Sequence, residues 1–160
     1  MIDRRGFIAN AASSIGLLAL SGIPWRLRAA GVGFKPEMVI RKNAGCMCCD
    51  RWATHLNEHG IHTVIEEHPD LVSFKETMEV PEDLRSCHTG VIEGYVVEGH
   101  VPADDVLRLL EQRPPVRGIA VPGMPIGSPG MESGDRVDPY EVIAFGGSGE
   151  PYVFAGHGSS

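Results

Sequence analysis

The 160-residue chain lacks most of the features by which a sequence announces its work. No apolar run is long enough to read as a membrane span; the one apolar stretch, Phe7 to Ile23, is short and broken by Asn10, Ser13 and Ser14. There is no internal repeat, and no Ser/His/Asp or paired-carboxylate arrangement that would serve hydrolysis. Basic residues are scarce, 14 against 21 acidic, for a formal charge of −7. That balance excludes nucleic acid and an anionic membrane surface as partners. Cysteine is scarce as well, four in all. Three of the four nevertheless fall within four residues, at Cys46, Cys48 and Cys49, and the last stands alone at Cys87.

The first 30 residues are unlike the rest. Arg4-Arg5 precede the apolar stretch, and Arg26 and Arg28 follow it, which is the layout of an export signal. The paired arginines resemble a twin-arginine signal. Residues 1–30 are therefore predicted to be a signal peptide, residues 31–155 one domain, and residues 156–160 a disordered tail. The expected location is periplasmic, with membrane contact only through an uncleaved signal. Loss of residues 1–30 removes Arg4, Arg5, Arg26, Arg28 and Asp3, so the remaining chain is more acidic still, at −10. With 42% hydrophobic residues it suits one compact domain with a modest core.

Patterning predicts an α/β fold, a mixed central sheet flanked by helices. Met38–Ile40 reads as a strand and Cys48–His59 as a helix, with Cys49, Trp52, Ala53 and Leu56 at three- and four-residue spacing and Gly60 as its stop. Ile61–Glu66 reads as a strand, His68-Pro69-Asp70 as a helix start, and Val80–Leu84 as a helical turn. Val91–Val97 reads as a single strand bounded by Gly90 and Gly99. Pro102–Asp105 opens a helix that Pro114-Pro115 ends, and residues 118–135 read as a Gly/Pro/Met-rich loop. Tyr140–Phe145 and Tyr152–Phe154 suggest a terminal hairpin.

The cysteines fall where a strand ends and a helix begins. There the helix dipole and free backbone N–H groups favour thiolate, the form that binds metal or attacks disulfides. In an oxidising compartment four cysteines would ordinarily form two structural disulfides. Adjacent Cys48 and Cys49 resist that pairing, whereas Cys46 and Cys49 have the C-x-x-C spacing of redox pairs and metal ligands. On one helical turn Cys46 and Cys49 converge, and Cys48 is expected to splay outward by about 100°. A single zinc needs only a convergent pair plus partners such as Cys87 and His88. A third thiolate is better used if sulfurs bridge several soft ions, which favours a polynuclear Cu(I)–thiolate cluster. A metal-free thiol–disulfide oxidoreductase, with Cys46 and Cys49 exchanging and Cys48 or Cys87 resolving, stands as the alternative. So does a structural zinc module.

The strand–Gly-Cys-x-Cys-Cys–Trp-helix segment, Ser86-Cys87-His88-Thr89, the Gly90–Gly99 strand and the Gly-Met-Pro-x-Gly-Ser-Pro-Gly-Met loop together resemble the CopG proteins of bacterial copper resistance. The resemblance runs from about Met38 to Phe154. It implies a thioredoxin-like sandwich carrying a tetranuclear copper–sulfur cluster, with Cys46, Cys48, Cys49 and Cys87 as its ligands. It also implies the handling of Cu(I) and its interconversion with Cu(II), hence a copper oxidoreductase beside a metal-binding protein. Copper ions, periplasmic copper carriers and redox proteins are the partners it suggests. No residue is assigned a catalytic role.

Other residues carry two readings each. His88 is an outer ligand to the Cys87 site or a capping histidine on the surface. Met124 and Met131 offer thioethers suited to Cu(I), or pack against a core edge. Pro122 or Pro125 is a candidate cis proline facing the cysteines. Met47, hemmed between cysteines, reads as a shield over the cluster, and Trp52 as a lid or core residue. His55 and His59 have a metal-ligand spacing, but no H-E-x-x-H glutamate accompanies them, so they read as a solvated face.

Overall fold

A computed structural model of the chain describes residues 35–158. The expected signal peptide lies outside the described residues, as do Ser159 and Ser160. Seven strands form one mixed sheet, in the order β2-β1-β3-β4-β5-β6-β7. In chain order the elements are β1 (Glu37–Lys42), α1 (Met47–Glu58), β2 (His62–Glu67), α2 (Leu71–Thr77), a 3₁₀ turn (Glu82–Leu84), β3 (His88–Ile92), β4 (Tyr95–Glu98), α3 (Ala103–Gln112), β5 (Gly118–Ala120), β6 (Tyr140–Phe145) and β7 (Tyr152–His157). β1 runs parallel to β2, and β4 to β5; the remaining neighbours are antiparallel. The α/β expectation of a mixed sheet flanked by helices holds.

The period-2 pattern of the strands sorts side chains between two cores. Met38, Ile40, Ile92, Val97, Ile119, Val142 and Ala144 form one buried cluster with Trp52, Ala53 and Leu56 of α1 and Val106 and Leu109 of α3. The neighbours that alternate with them, Val96, Ala120 and Phe145, join Val80 and Leu84 in a second cluster. Helices α1 and α3 thus cover one face, and the segment from α2 to the 3₁₀ turn packs on the other. Asp70 caps α2, its carboxylate accepting the Ser73 amide at 3.0 Å.

Three expectations are corrected. Val91–Val97 is not one strand but most of a hairpin, β3 and β4 joined through Glu93-Gly94. Both turn residues have positive φ, 46° and 87°, as a two-residue hairpin turn that follows the strand twist requires. Glu93 is an unusual residue there, so the strand composition on either side masked the turn. Residues 118–135 are not all loop, because Gly118–Ala120 pairs with both β4 and β6. The tail expected to be disordered from Gly156 instead continues as β7, with Gly156 opposite Glu141 and His157 opposite Tyr140. Among the described residues no peptide bond is cis, so Pro122 and Pro125 are both trans.

Candidate metal centre

β1 delivers the chain to a turn at Asn43–Gly45, and α1 starts one residue after Cys46. Cys46 is the N-cap, with extended backbone (φ −74°, ψ 93°) and no side-chain cap bond. Lys42, nearly buried, fastens this turn by donating to the Cys46 carbonyl at 3.2 Å and pairing with Asp50 at 2.8 Å. Cys87 arrives from the other side of the sequence, in the coil between the 3₁₀ turn and β3.

The four sulfurs gather within 4.8 Å of one another. Cys46 and Cys49 are joined as a disulfide, and Cys48 and Cys87 are free thiols. The Cys48 sulfur lies 3.4 Å from that of Cys46 and 3.9 Å from that of Cys87, which in turn is 3.7 Å from Cys49. The outward splay expected for Cys48 does not occur. That expectation treated Cys46 as helical, whereas its extended cap conformation turns its side chain toward Cys48.

Two imidazoles face the same sulfur. His88 Nδ1 and His100 Nε2 each lie 3.2 Å from Cys87 Sγ, and both rings are fully buried. His88 is therefore no surface cap; it packs on Trp52 (ring centroids 4.2 Å apart) and meets His100 edge-on. His100 Nδ1 is 2.9 Å from the Pro129 carbonyl, which can only accept, so Nδ1 carries the proton and Nε2 turns its lone pair to sulfur. The single Cys87 proton serves His100, and His88 Nδ1–H then donates to the sulfur. This leaves His88 Nε2 buried without a partner. A donor nitrogen poised by a backbone carbonyl, beside an unpartnered one, is an arrangement found around metal ligands.

Burial, then the neighbouring Cys48, pushes the Cys87 thiol up to about 12. Burial also holds His88 well below the ordinary histidine range, aided by His100 and Lys75, and lowers His100. Each histidine thus has a folded pKa below its unfolded one, so the unfolded chain binds more protons in that window. Stability is lost as pH falls from about 6.5 toward the depressed folded values, by up to about 1.4 kcal/mol per pH unit for each histidine. The urea midpoint of the metal-free protein is expected to drop between pH 7 and pH 5, and less steeply in His88→Phe.

Beneath Cys87 lies a buried polar knot. Glu98, fully buried, accepts from Lys75 at 2.5 Å, from Thr89 Oγ1 at 2.7 Å and from the Ser86 amide at 2.6 Å. Burial lowers the Lys75 pKa, with Glu98 opposing the shift.

The Gly/Pro/Met loop closes over the cysteine turn. Gly130 (φ 84°) sits so near α1 that a Cβ there would lie 2.8 Å from the Cys48 carbonyl oxygen and the Trp52 nitrogen. The Ser86 hydroxyl donates to the Gly123 carbonyl of the same loop. Met124 is half exposed on it, and Met47 is 77% exposed, so Met47 does not fold over the sulfurs as the shield expected of it. Trp52 is a core residue, its indole N–H donating to Val101 O at 2.8 Å. His55 Nε2 accepts the Ala103 amide and so ties α1 to the start of α3, while His59 Nδ1 contacts the His55 carbonyl one turn back.

His100 escaped the sequence reading. It lies 13 residues from Cys87, and its proximity depends on the hairpin that brings Gly99 to hydrogen-bond the His88 carbonyl. The Glu93-Gly94 pair was the signal that could have found it.

A family described as "Protein of unknown function, DUF411" matches residues 84–131, the stretch that holds Cys87, His88, His100 and the closing loop. Two solved structures titled copper resistance protein CopG, form 2 and form 1, are both 43% identical to this chain. They superpose with TM-scores of 0.75 and 0.74, covering 78% and 79% of this chain and 100% of theirs. No curated protein matches.

Proposed function

The chain belongs to the family of CopG copper resistance proteins, and from that premise we propose that it binds Cu(I) as a polynuclear thiolate cluster on Cys46, Cys48, Cys49 and Cys87. The observation that carries the reading is the convergence of four sulfurs, from two segments 38 residues apart, within 4.8 Å. Such a donor set is soft and rich in bridging atoms, and it suits Cu(I) better than a hard cation. Reduction of the Cys46–Cys49 disulfide, two electrons and two protons yielding two thiols, completes the set. The buried neutral imidazoles of His88 and His100 supply the outer shell around Cys87, and Met124 offers a thioether at the edge. Interconversion of Cu(I) and Cu(II) is the redox role that accompanies this reading.

The wider setting is proposed with it. Residues 1–30 act as a twin-arginine signal that delivers residues 31–155 to the periplasm, where copper carriers and redox proteins are the partners. The order β2-β1-β3-β4, with the cysteine turn directly after β1, supports reading that half of the sheet as a thioredoxin-like core. On this reading β5–β7 extend it.

Cys48 tests the cluster because it is outside the disulfide and is not needed for a C-x-x-C pair. Cys48→Ser in the reduced protein is expected to lose at least about half of the bound Cu(I) while the far-ultraviolet circular dichroism is unchanged. Retention of the wild-type copper number by that variant would defeat the proposal. A second reading, thiol–disulfide exchange without metal, is favoured by one feature: each disulfide sulfur has a free thiol beside it, Cys48 by Cys46 and Cys87 by Cys49. Catalysed insulin reduction by the metal-free protein would support it, and inactivity would remove it.

A further inference from the structure

We propose that Glu98 is a positioning residue of the centre, holding Cys87 against Cys48 and Cys49 through the Ser86 backbone N–H. The inference rests on Cys87 being a ligand, as read above. Cys87 itself belongs to no strand or helix, and neither do Arg85 and Ser86. Arg85 is bonded back to the 3₁₀ segment, its amide to the Glu82 carbonyl and its Nε to the Val80 carbonyl. Ser86, next to the cysteine, is tied across to the sheet and the loop: its amide donates to Glu98 Oε1 and its hydroxyl to the Gly123 carbonyl. Glu98 stands on β4 opposite Thr89, two residues before His100, so one residue ties the Cys87 coil to the strand that leads into the second imidazole.

Energetics argue that the knot exists for more than stability. Glu98 is fully buried and Lys75 nearly so. Removing two such charges from water is costly, and an apolar pair of the same volume commonly serves a fold as well or better. An apolar pair cannot accept the Ser86 N–H. Lys75 and the Thr89 hydroxyl then balance and orient the carboxylate that does so, at 2.5 and 2.7 Å. The ion pair is explained if the acceptor beneath Ser86 is what the site requires.

Two charge-free double variants isolate that acceptor. Lys75→Met/Glu98→Gln keeps an oxygen for the Ser86 amide, and Lys75→Met/Glu98→Leu does not. With the Cys46–Cys49 disulfide left in place, the metal-free full chain has two free thiols, Cys48 and Cys87, with their sulfurs 3.9 Å apart. The dithiol cross-linker dibromobimane becomes fluorescent on bridging such a pair and so reads their separation without copper. The Gln variant is expected to cross-link as wild type does. The Leu variant, which takes the acceptor from the Ser86 amide and the Thr89 hydroxyl alike, is expected to cross-link about five-fold less, the population shift that losing the hydrogen bond at Ser86 produces. Equal cross-linking by the two variants would overturn the proposal. Should the Leu variant not fold, amide exchange at Ser86 in the wild type decides: protection equal to that of β3 supports the tie, and solvent-rate exchange removes it. Because neither readout involves copper, failure of copper binding and failure of this inference are told apart.

Discussion

Purified oxidised protein is expected to bind little Cu(I), and the same protein after reduction several-fold more. In the disulfide form Cys46 and Cys49 are bonded to each other, which leaves two free thiols, one of them Cys87 with its pKa raised to about 12 by burial and by Cys48. Two thiols supply only half of the bridging sulfurs of the full set, and a protonated thiol must release its proton before it binds metal. Reduction doubles the number of free thiols at one place, from two to four, and the fold is expected to stay as it is because the disulfide joins residues only three apart in sequence. The expected rise in tightly bound Cu(I) is at least about two-fold, with proton release that grows with each thiol engaged. Competition with a coloured Cu(I) chelator, under reducing and non-reducing conditions, measures it. Equal loading in the two states would mean that Cys46 and Cys49 are not ligands.

The second large effect concerns the polar knot. Glu98→Ala strands the Lys75 ammonium in the interior and takes the acceptor from Ser86 and Thr89 together. Breaking a buried pair on one side costs about 3–5 kcal/mol, a large part of what a domain of this size holds in reserve. Desolvation already lowers the Lys75 pKa. Without its carboxylate the folded pKa falls further below the unfolded value, so the unfolded chain binds the extra proton and the deficit shrinks as pH rises. Urea unfolding of metal-free protein at pH 7 and pH 9 reads both effects. Lys75→Met/Glu98→Gln, which leaves no stranded charge, is expected to recover most of the loss. A Glu98→Ala variant as stable as wild type would show that the knot opens to water.

What was legible in the sequence follows from how local each signal was. α1 was clear because Cys49, Trp52, Ala53 and Leu56 repeat at helical spacing and Gly60 stops it, and all four prove buried. The cysteine motif was clear because its meaning lies in spacing. Its geometry was less so: Cys48 turned inward because Cys46 is a cap, a boundary that composition does not set to within one residue. The β3–β4 hairpin was hidden by Glu93 in a left-handed position, and with it went His100 and the Thr89–Glu98 pairing. The charged knot was hidden for another reason. Lys75 and Glu98 lie 23 residues apart, and nothing local marks a lysine or glutamate as buried.

The measurement that tests the account most directly is an anaerobic Cu(I) titration of the reduced full chain, with copper counted per chain and luminescence followed. More than one tightly held Cu(I) per chain, with the emission of a cuprous cluster that Cys87→Ser abolishes, is the predicted result. A single Cu(I) per chain or none, with thiols that instead exchange rapidly with disulfides, would contradict it.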